Sequence, residues 1–240
     1  MTMNDDYLKL CAWCGVFFTV LLLGGYLTFG FLPPLDPLMS AEQVSRYYQD
    51  NIMSIRLGLF TLCSALAFYV PFYAGVTHQM IKMKNPSLIM VMVFVIIAAA
   101  LLALVVVALV IWAAASYRPE NPEATMMFND IGFMFFLWPA TIAPIANMAL
   151  GLAILNDHRN SKIFPRWFAF YNFWSALLAL TGILIVFFKT GPFAINGLFG
   201  FWVNAAVFFL WYPITTYLLF RSIKQNPSVA GSQLVEPRTD

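Results

Sequence analysis

Few side chains in this 240-residue sequence are equipped for chemistry, and they are scattered. Cys11 and Cys14 form a Cys-x-x-Cys pair, the spacing of dithiol redox motifs and of half a zinc site. The third cysteine, Cys63, stands alone, so no second pair completes a four-thiolate site. The pair also falls in the opening turns of an apolar run, where small thiols packed against neighbouring helices are the preferred reading. The two histidines, His78 and His158, precede Lys82 and Lys162, and two histidines so placed make a poor metal centre. They read as loop or interface residues. No Gly-rich phosphate cradle and no Gly-x-Ser-x-Gly elbow occurs. No lysine stands at mid-depth of an apolar run, where a Schiff base would need it. Catalytic residues, cofactors and metals are therefore all expected to be none.

What remains is a set of polar groups suited to holding a ligand. The stretch "VFFKTGPFAING", residues 186–197, carries Lys189, the only charge between Arg166 and Arg221. A second cluster, "SYRPENPEATMMFNDIGF", brings together Arg118, Glu120, Glu123, Asn129 and Asp130. Asp130 is expected at the start of a membrane span, where a carboxylate suits the positive end of the helix dipole. Two readings of Lys189 stay open. It pairs with Asp130 or contacts a ligand, or it snorkels to lipid phosphate. Deeper in the apolar runs lie Asn147, Asn172 and Asn204. Each amide serves as interhelical glue worth about 1 kcal/mol or as a ligand contact. The candidate ligand-binding residues are thus Lys189, Asp130, Arg118, Asn147 and Asn204.

Composition dictates what positions these groups. Charged residues make up 10% of the chain and hydrophobic ones 61%. A soluble domain carries about 25% charged residues, so this chain cannot coat itself in water. Apolar runs long enough to cross roughly 30 Å of hydrocarbon predict an all-α polytopic membrane bundle with six transmembrane helices. The expected spans are 8–31, 55–80, 88–115, 131–155, 167–188 and 197–221. They form a single transmembrane domain, residues 1–225, followed by a flexible cytoplasmic tail, 226–240. The first run is preceded by Asp5 and Asp6 and lacks a small-residue cleavage site, so it reads as a retained span.

Orientation follows from the basic residues. Nine Lys and Arg fall at the termini and in the second and fourth connections, against four in the other connections. Both termini are therefore expected in the cytoplasm, with three hairpins turned outward. In the long first outer connection, Ser40 and Gln43 fit a capping box. Val44, Tyr47 and Tyr48 give an apolar stripe. A short amphipathic helix at about 41–51 is predicted there, closing the bundle top or forming a lid.

Each returning span carries proline beside aromatic residues: Pro71; Pro139 and Pro144; and Pro213. Proline frees a backbone carbonyl and kinks a helix, so three kinked returns can enclose a cavity, as broken helices do in transporters. Membrane helices also carry proline without such a role.

Four stretches, "SAEQVSRYYQDNIMSIRLG", "YRPENPE…FNDIGFMFF", "FPRWFAFYNFW" and "FFKTGPFAINGLFGFW", resemble a group of small bacterial six-span membrane proteins of actinobacterial and proteobacterial type. The Lys-Thr-Gly-Pro-Phe turn is the most specific part of a likeness that covers about residues 40–221. The resemblance implies a bacterial cytoplasmic (inner) membrane location. No activity is attached to that group, so no site residue carries over. Two functions stay open. One is a binder or transporter of a small lipophilic or amphipathic molecule. The other is a non-catalytic accessory or assembly subunit of a larger membrane complex. The expected partners are the lipid bilayer, a membrane protein or second copy, and a lipophilic small molecule, with no nucleic acid.

Overall fold

A computed structural model describes residues 3–138, 142–158 and 163–224. These residues form eight α-helices and no strand. They are α1 (Met3–Phe29), α2 (Ala41–Asp50), α3 (Ile52–Ile81), α4 (Leu88–Tyr117), α5 (Pro122–Leu137), α6 (Ala143–Leu155), α7 (Arg166–Ala179) and α8 (Val203–Lys224). A 3-10 segment, Leu180–Val186, extends α7, and a π-helical turn, Leu198–Trp202, leads into α8. Five helices are long and apolar enough to cross a membrane: Asp6–Phe29, Ile52–Ile81, Leu88–Tyr117, Arg166–Val186 and Leu198–Lys224. Lipid offers the backbone no hydrogen bonds, and a helix satisfies its own, so the apolar runs become rods. Pro139, Arg159, Lys162, Pro227, Arg238 and the tail expected at 226–240 lie outside the described residues.

The fourth expected span, 131–155, does not appear as a single helix among the described residues. Its residues divide between α5 and the short apolar α6. The first helix also begins well before Asp130. Asn121 caps α5 by accepting from the Ala124 amide at 3.4 Å, Pro122 opens the helix, and Glu123 occupies its first turn. That Asn-Pro-Glu run is a start signal, so Glu123 rather than Asp130 sits at the positive end. Pro144 lies in the first turn of α6, where its missing N–H costs nothing. It therefore opens a new helix instead of kinking a continuous one. Pro71 and Pro213, by contrast, do sit inside α3 and α8.

The frame is set by α1, which packs along α3 and against α8. Glycines make the α1–α3 seam close. A Cβ built on Gly58 would overlap the Phe29 backbone, and one on Gly25 would meet Leu62 at 2.9 Å. Cys11 lies over Gly75, where an added Cβ would come within 2.7 Å of the Cys11 side chain. Cys11 and Cys14 are free thiols, Cys11 half-buried and Cys14 buried. The remaining helices close around this seam. α4 packs on α3, α5 and α6, while α7 packs on α6 and α8. At the end away from α2, Asp157 Oδ1 accepts from the Lys84 amide at 3.0 Å. Asn156 Nδ2 donates to the Asn85 carbonyl at 3.2 Å. The α3–α4 turn is thereby stitched to the end of α6.

α2 is the amphipathic helix expected at 41–51, and both halves of the Ser40–Gln43 capping box form. Val44 and Tyr48 are buried, and Tyr47 hydrogen-bonds the Gly30 carbonyl at 2.8 Å. Ser45 Oγ donates to the Pro119 carbonyl at 2.5 Å, and Arg56 donates to the Ser116 carbonyl at 2.8 Å. These bonds fasten α2 and the start of α3 to the α4–α5 turn.

The seam can be tested with two nearby glycines. Gly58→Ala should destabilise the protein by about 2 kcal/mol, because the methyl group must displace backbone. Gly24→Ala, where nothing lies within 4 Å of an added Cβ, should stay within about 1 kcal/mol of wild type. Reversible unfolding in mixed micelles measures both, and equal effects would remove the close seam from the account.

Candidate functional site

The centre of the bundle is not filled. A cavity of about 190 Å³ lies among α1, α3, α4, α5, α6, α7, the π-helical turn and α8. Its α1 wall is Phe18, Leu22 and Tyr26. Their spacing puts them on one helix face, while Gly15 and Gly25 serve the packing seams. Small side chains keep the seam tight, and the rings are left to border the cavity.

Aromatic contacts hold the wall in shape. Phe18 meets Tyr212 with ring centroids 4.7 Å apart, and Tyr26 meets Phe209 at 5.4 Å and Phe136 at 5.6 Å. Tyr69 stacks on Tyr73 at 4.2 Å, and Tyr73 stacks on both Phe94 and Trp211. Such pairs add about 0.5–1.5 kcal/mol beyond area burial. The Tyr69 hydroxyl donates to the Ala98 carbonyl at 2.9 Å, tying α3 to α4. Pro71 lies between the two stacked tyrosines, and Pro213 follows Trp211 and Tyr212. Both proline interruptions therefore fall beside cavity-wall rings.

Irregular backbone also meets at this place. Leu137 ends α5, Ala143 begins α6, Ala179 ends α7 and Phe201 belongs to the π-helical turn, and all four line the cavity. The 3-10 and π segments are held together by Thr181 and Asn204. Thr181 Oγ1 lies 2.7 Å from the Phe199 carbonyl, and Asn204 Nδ2 donates to the same carbonyl at 2.9 Å.

The five candidate residues separate into two groups. Asn147 and Asn204 line the cavity. Lys189, Asp130 and Arg118 do not line it; they are exposed residues at the α2 end. Lys189 and Asp130 do not close to an ion pair within 4.0 Å. Asp130 Oδ1 instead accepts from Asn129 Nδ2 at 3.1 Å, and Asn129 Oδ1 accepts from the buried Tyr48 hydroxyl at 3.2 Å. Arg118 follows the last turn of α4 and edges a second, more open pocket between α4 and α5. Asn172, the third amide, is glue. It accepts from Trp211 Nε1 at 3.0 Å and donates to the Phe168 carbonyl at 2.7 Å.

The Lys189 turn is a compact knot. Gly191 takes a φ of 84°, which favours glycine, and the Pro192 carbonyl accepts from Phe199 at 2.7 Å and Gly200 at 3.2 Å. Gly197 and Gly200 leave no room for a Cβ against the backbone of residues 191–194. The turn thus folds back onto the π segment that helps border the cavity.

Sequence reasoning passed over the tyrosines. Tyr26, Tyr69, Tyr73 and Tyr212 all line the cavity, and the only available signal was their place on the faces of α1, α3 and α8. Two polar atoms in the cavity-lining residues lack partners: the Tyr26 hydroxyl and Asn204 Oδ1. Among the described residues, no group of three or more His, Cys, Asp or Glu is placed to hold a metal ion. No protein-family model, curated protein or solved structure matches the chain.

Proposed function

We propose that this integral membrane protein binds a small lipophilic or amphipathic molecule in its central cavity. The observation that carries the reading is the cavity itself, walled by rings where α5, α6, α7 and α8 begin or end. A dry engineered cavity of about 150 Å³ admits benzene. One of about 190 Å³ therefore has room for a single ring or a comparable short chain. Its walls are mainly apolar with a few polar groups, the usual make-up of a small-molecule site.

The proposal includes the topology. The α5–α6 pair makes the fourth of six crossings, interrupted at the cavity, and the Lys and Arg bias puts both termini in the cytoplasm. Interrupted helices beside a central site are the arrangement through which transporters move their cargo. The bacterial inner membrane is its proposed setting.

Two experiments test these statements. In lipid nanodiscs, bromobenzene should quench the fluorescence of Trp211, a cavity residue, in a saturable way. Ala146→Met should abolish the saturable part, because the longer side chain fills the space that Ala146 borders. Trp211→Phe supplies the background from probe dissolved in lipid, and quenching no greater than that background would overturn the binding proposal. In a cysteine-free chain, Lys189→Cys should react with an impermeant maleimide added outside intact cells, and Lys82→Cys should react only after lysis. The reverse pattern would invert the topology.

A further inference from the structure

The polar atoms of the cavity say what kind of head group a ligand should carry. No lining residue is charged, so an ionised group would enter without a counter-charge and would bear most of its desolvation cost. The ligand that fits is neutral.

Its polarity is narrowed further by three side chains. The Tyr26 residue is 2% exposed, its hydroxyl has no partner, and its ring lies in the wall. A phenolic hydroxyl donates one hydrogen bond and accepts others. Asn204 is fixed the other way round. Its Nδ2 faces the Phe199 and Gly200 carbonyls at 2.9 and 3.3 Å, which leaves Oδ1, an acceptor only, buried without a partner. Asn147 lines the same space, and its amide has no hydrogen-bond partner among the described residues. A buried polar group left unpaired costs about 1–3 kcal/mol. Two in one apolar cavity, with the unbonded Asn147 amide beside them, need an explanation. The Tyr26 and Asn204 oxygens are themselves buried, so a ligand reaches them by turning side chains aside.

An ether or ketone, which can only accept, satisfies Tyr26 and the Asn147 NH₂ but nothing at Asn204 Oδ1. A hydroxyl accepts and donates, and so answers all three groups. We infer that the cavity takes an uncharged hydroxyl-bearing ring or short chain, a phenol or alcohol, with Tyr26 and Asn147 as its polar contacts and Asn204 Oδ1 as acceptor for its proton. This rests on the binding reading above, and its test has a separate readout.

The test compares 4-bromophenol, 4-bromoanisole and bromobenzene in the Trp211 quenching assay near neutral pH. Tyr26→Phe and Asn147→Leu each remove a group that bonds to nothing in the protein, so both variants should fold as well as wild type. Each should lower the ratio of 4-bromophenol to bromobenzene affinity about tenfold, the worth of one hydrogen bond to a buried partner. Wild type should also prefer 4-bromophenol to 4-bromoanisole. A loss confined to one variant assigns the hydroxyl to that partner and upholds the inference. An unchanged ratio of 4-bromophenol to bromobenzene affinity in both variants overturns it, as does a preference for 4-bromoanisole. If bromobenzene fails to bind wild type saturably, the binding reading itself falls.

Discussion

The contact of α1 with α3 is the constraint on which the rest of the bundle depends. Gly58 meets the Phe29 backbone so closely that no side chain fits between them. Within a bilayer there is no hydrophobic gain from bringing helices together, so van der Waals packing must hold them. Small residues allow backbones to approach, and Gly15, Gly25, Gly58 and Gly75 supply that approach along α1 and α3. Once the seam is fixed, the large residues of α1 are committed to another direction. Phe18, Leu22 and Tyr26 then face α8 and α5 as one wall of a central space.

That space persists because its surroundings are stiff. Rings interlock around it, and the Tyr69–Ala98 and Trp211–Asn172 hydrogen bonds tie the wall to neighbouring helices. On the far side α7 passes into the 3-10 segment and the π-helical turn into α8, and Thr181 and Asn204 join these two irregular helical segments. The same amide that steadies the π-helical turn presents its other atom without a partner. Its structural role and the proposed ligand contact thus meet in one side chain.

How much of this was legible in the sequence depended on the range of the interaction. Local signals were readable. Ser40 and Gln43 announced α2, and the apolar runs announced helices of membrane-spanning length. Asn121-Pro122-Glu123 was equally local, yet it reads as a polar loop unless its capping pattern is weighed against its charge. Pro144 was visible, but whether proline kinks a helix or opens one depends on the residues before it. The cavity was expected from the prolines, while its walls came from tyrosines and phenylalanines scattered over α1, α3, α5 and α8. Rings that border a cavity and rings that face lipid look alike in sequence, because both sit on apolar helix faces. Lys189 drew attention as an isolated charge. It stands in the knot that supports the π-helical turn, outside the cavity.

The central claim is that the cavity is a binding site and not a packing defect. Native mass spectrometry of the full chain, released from its own membrane in gentle detergent, tests this most directly when wild type is set beside Ala146→Met. The account predicts a small neutral lipophile retained by wild type and missing from the filled variant, with bound phospholipid equal in both. A bare wild-type chain, or the same small adduct on both proteins, would contradict it.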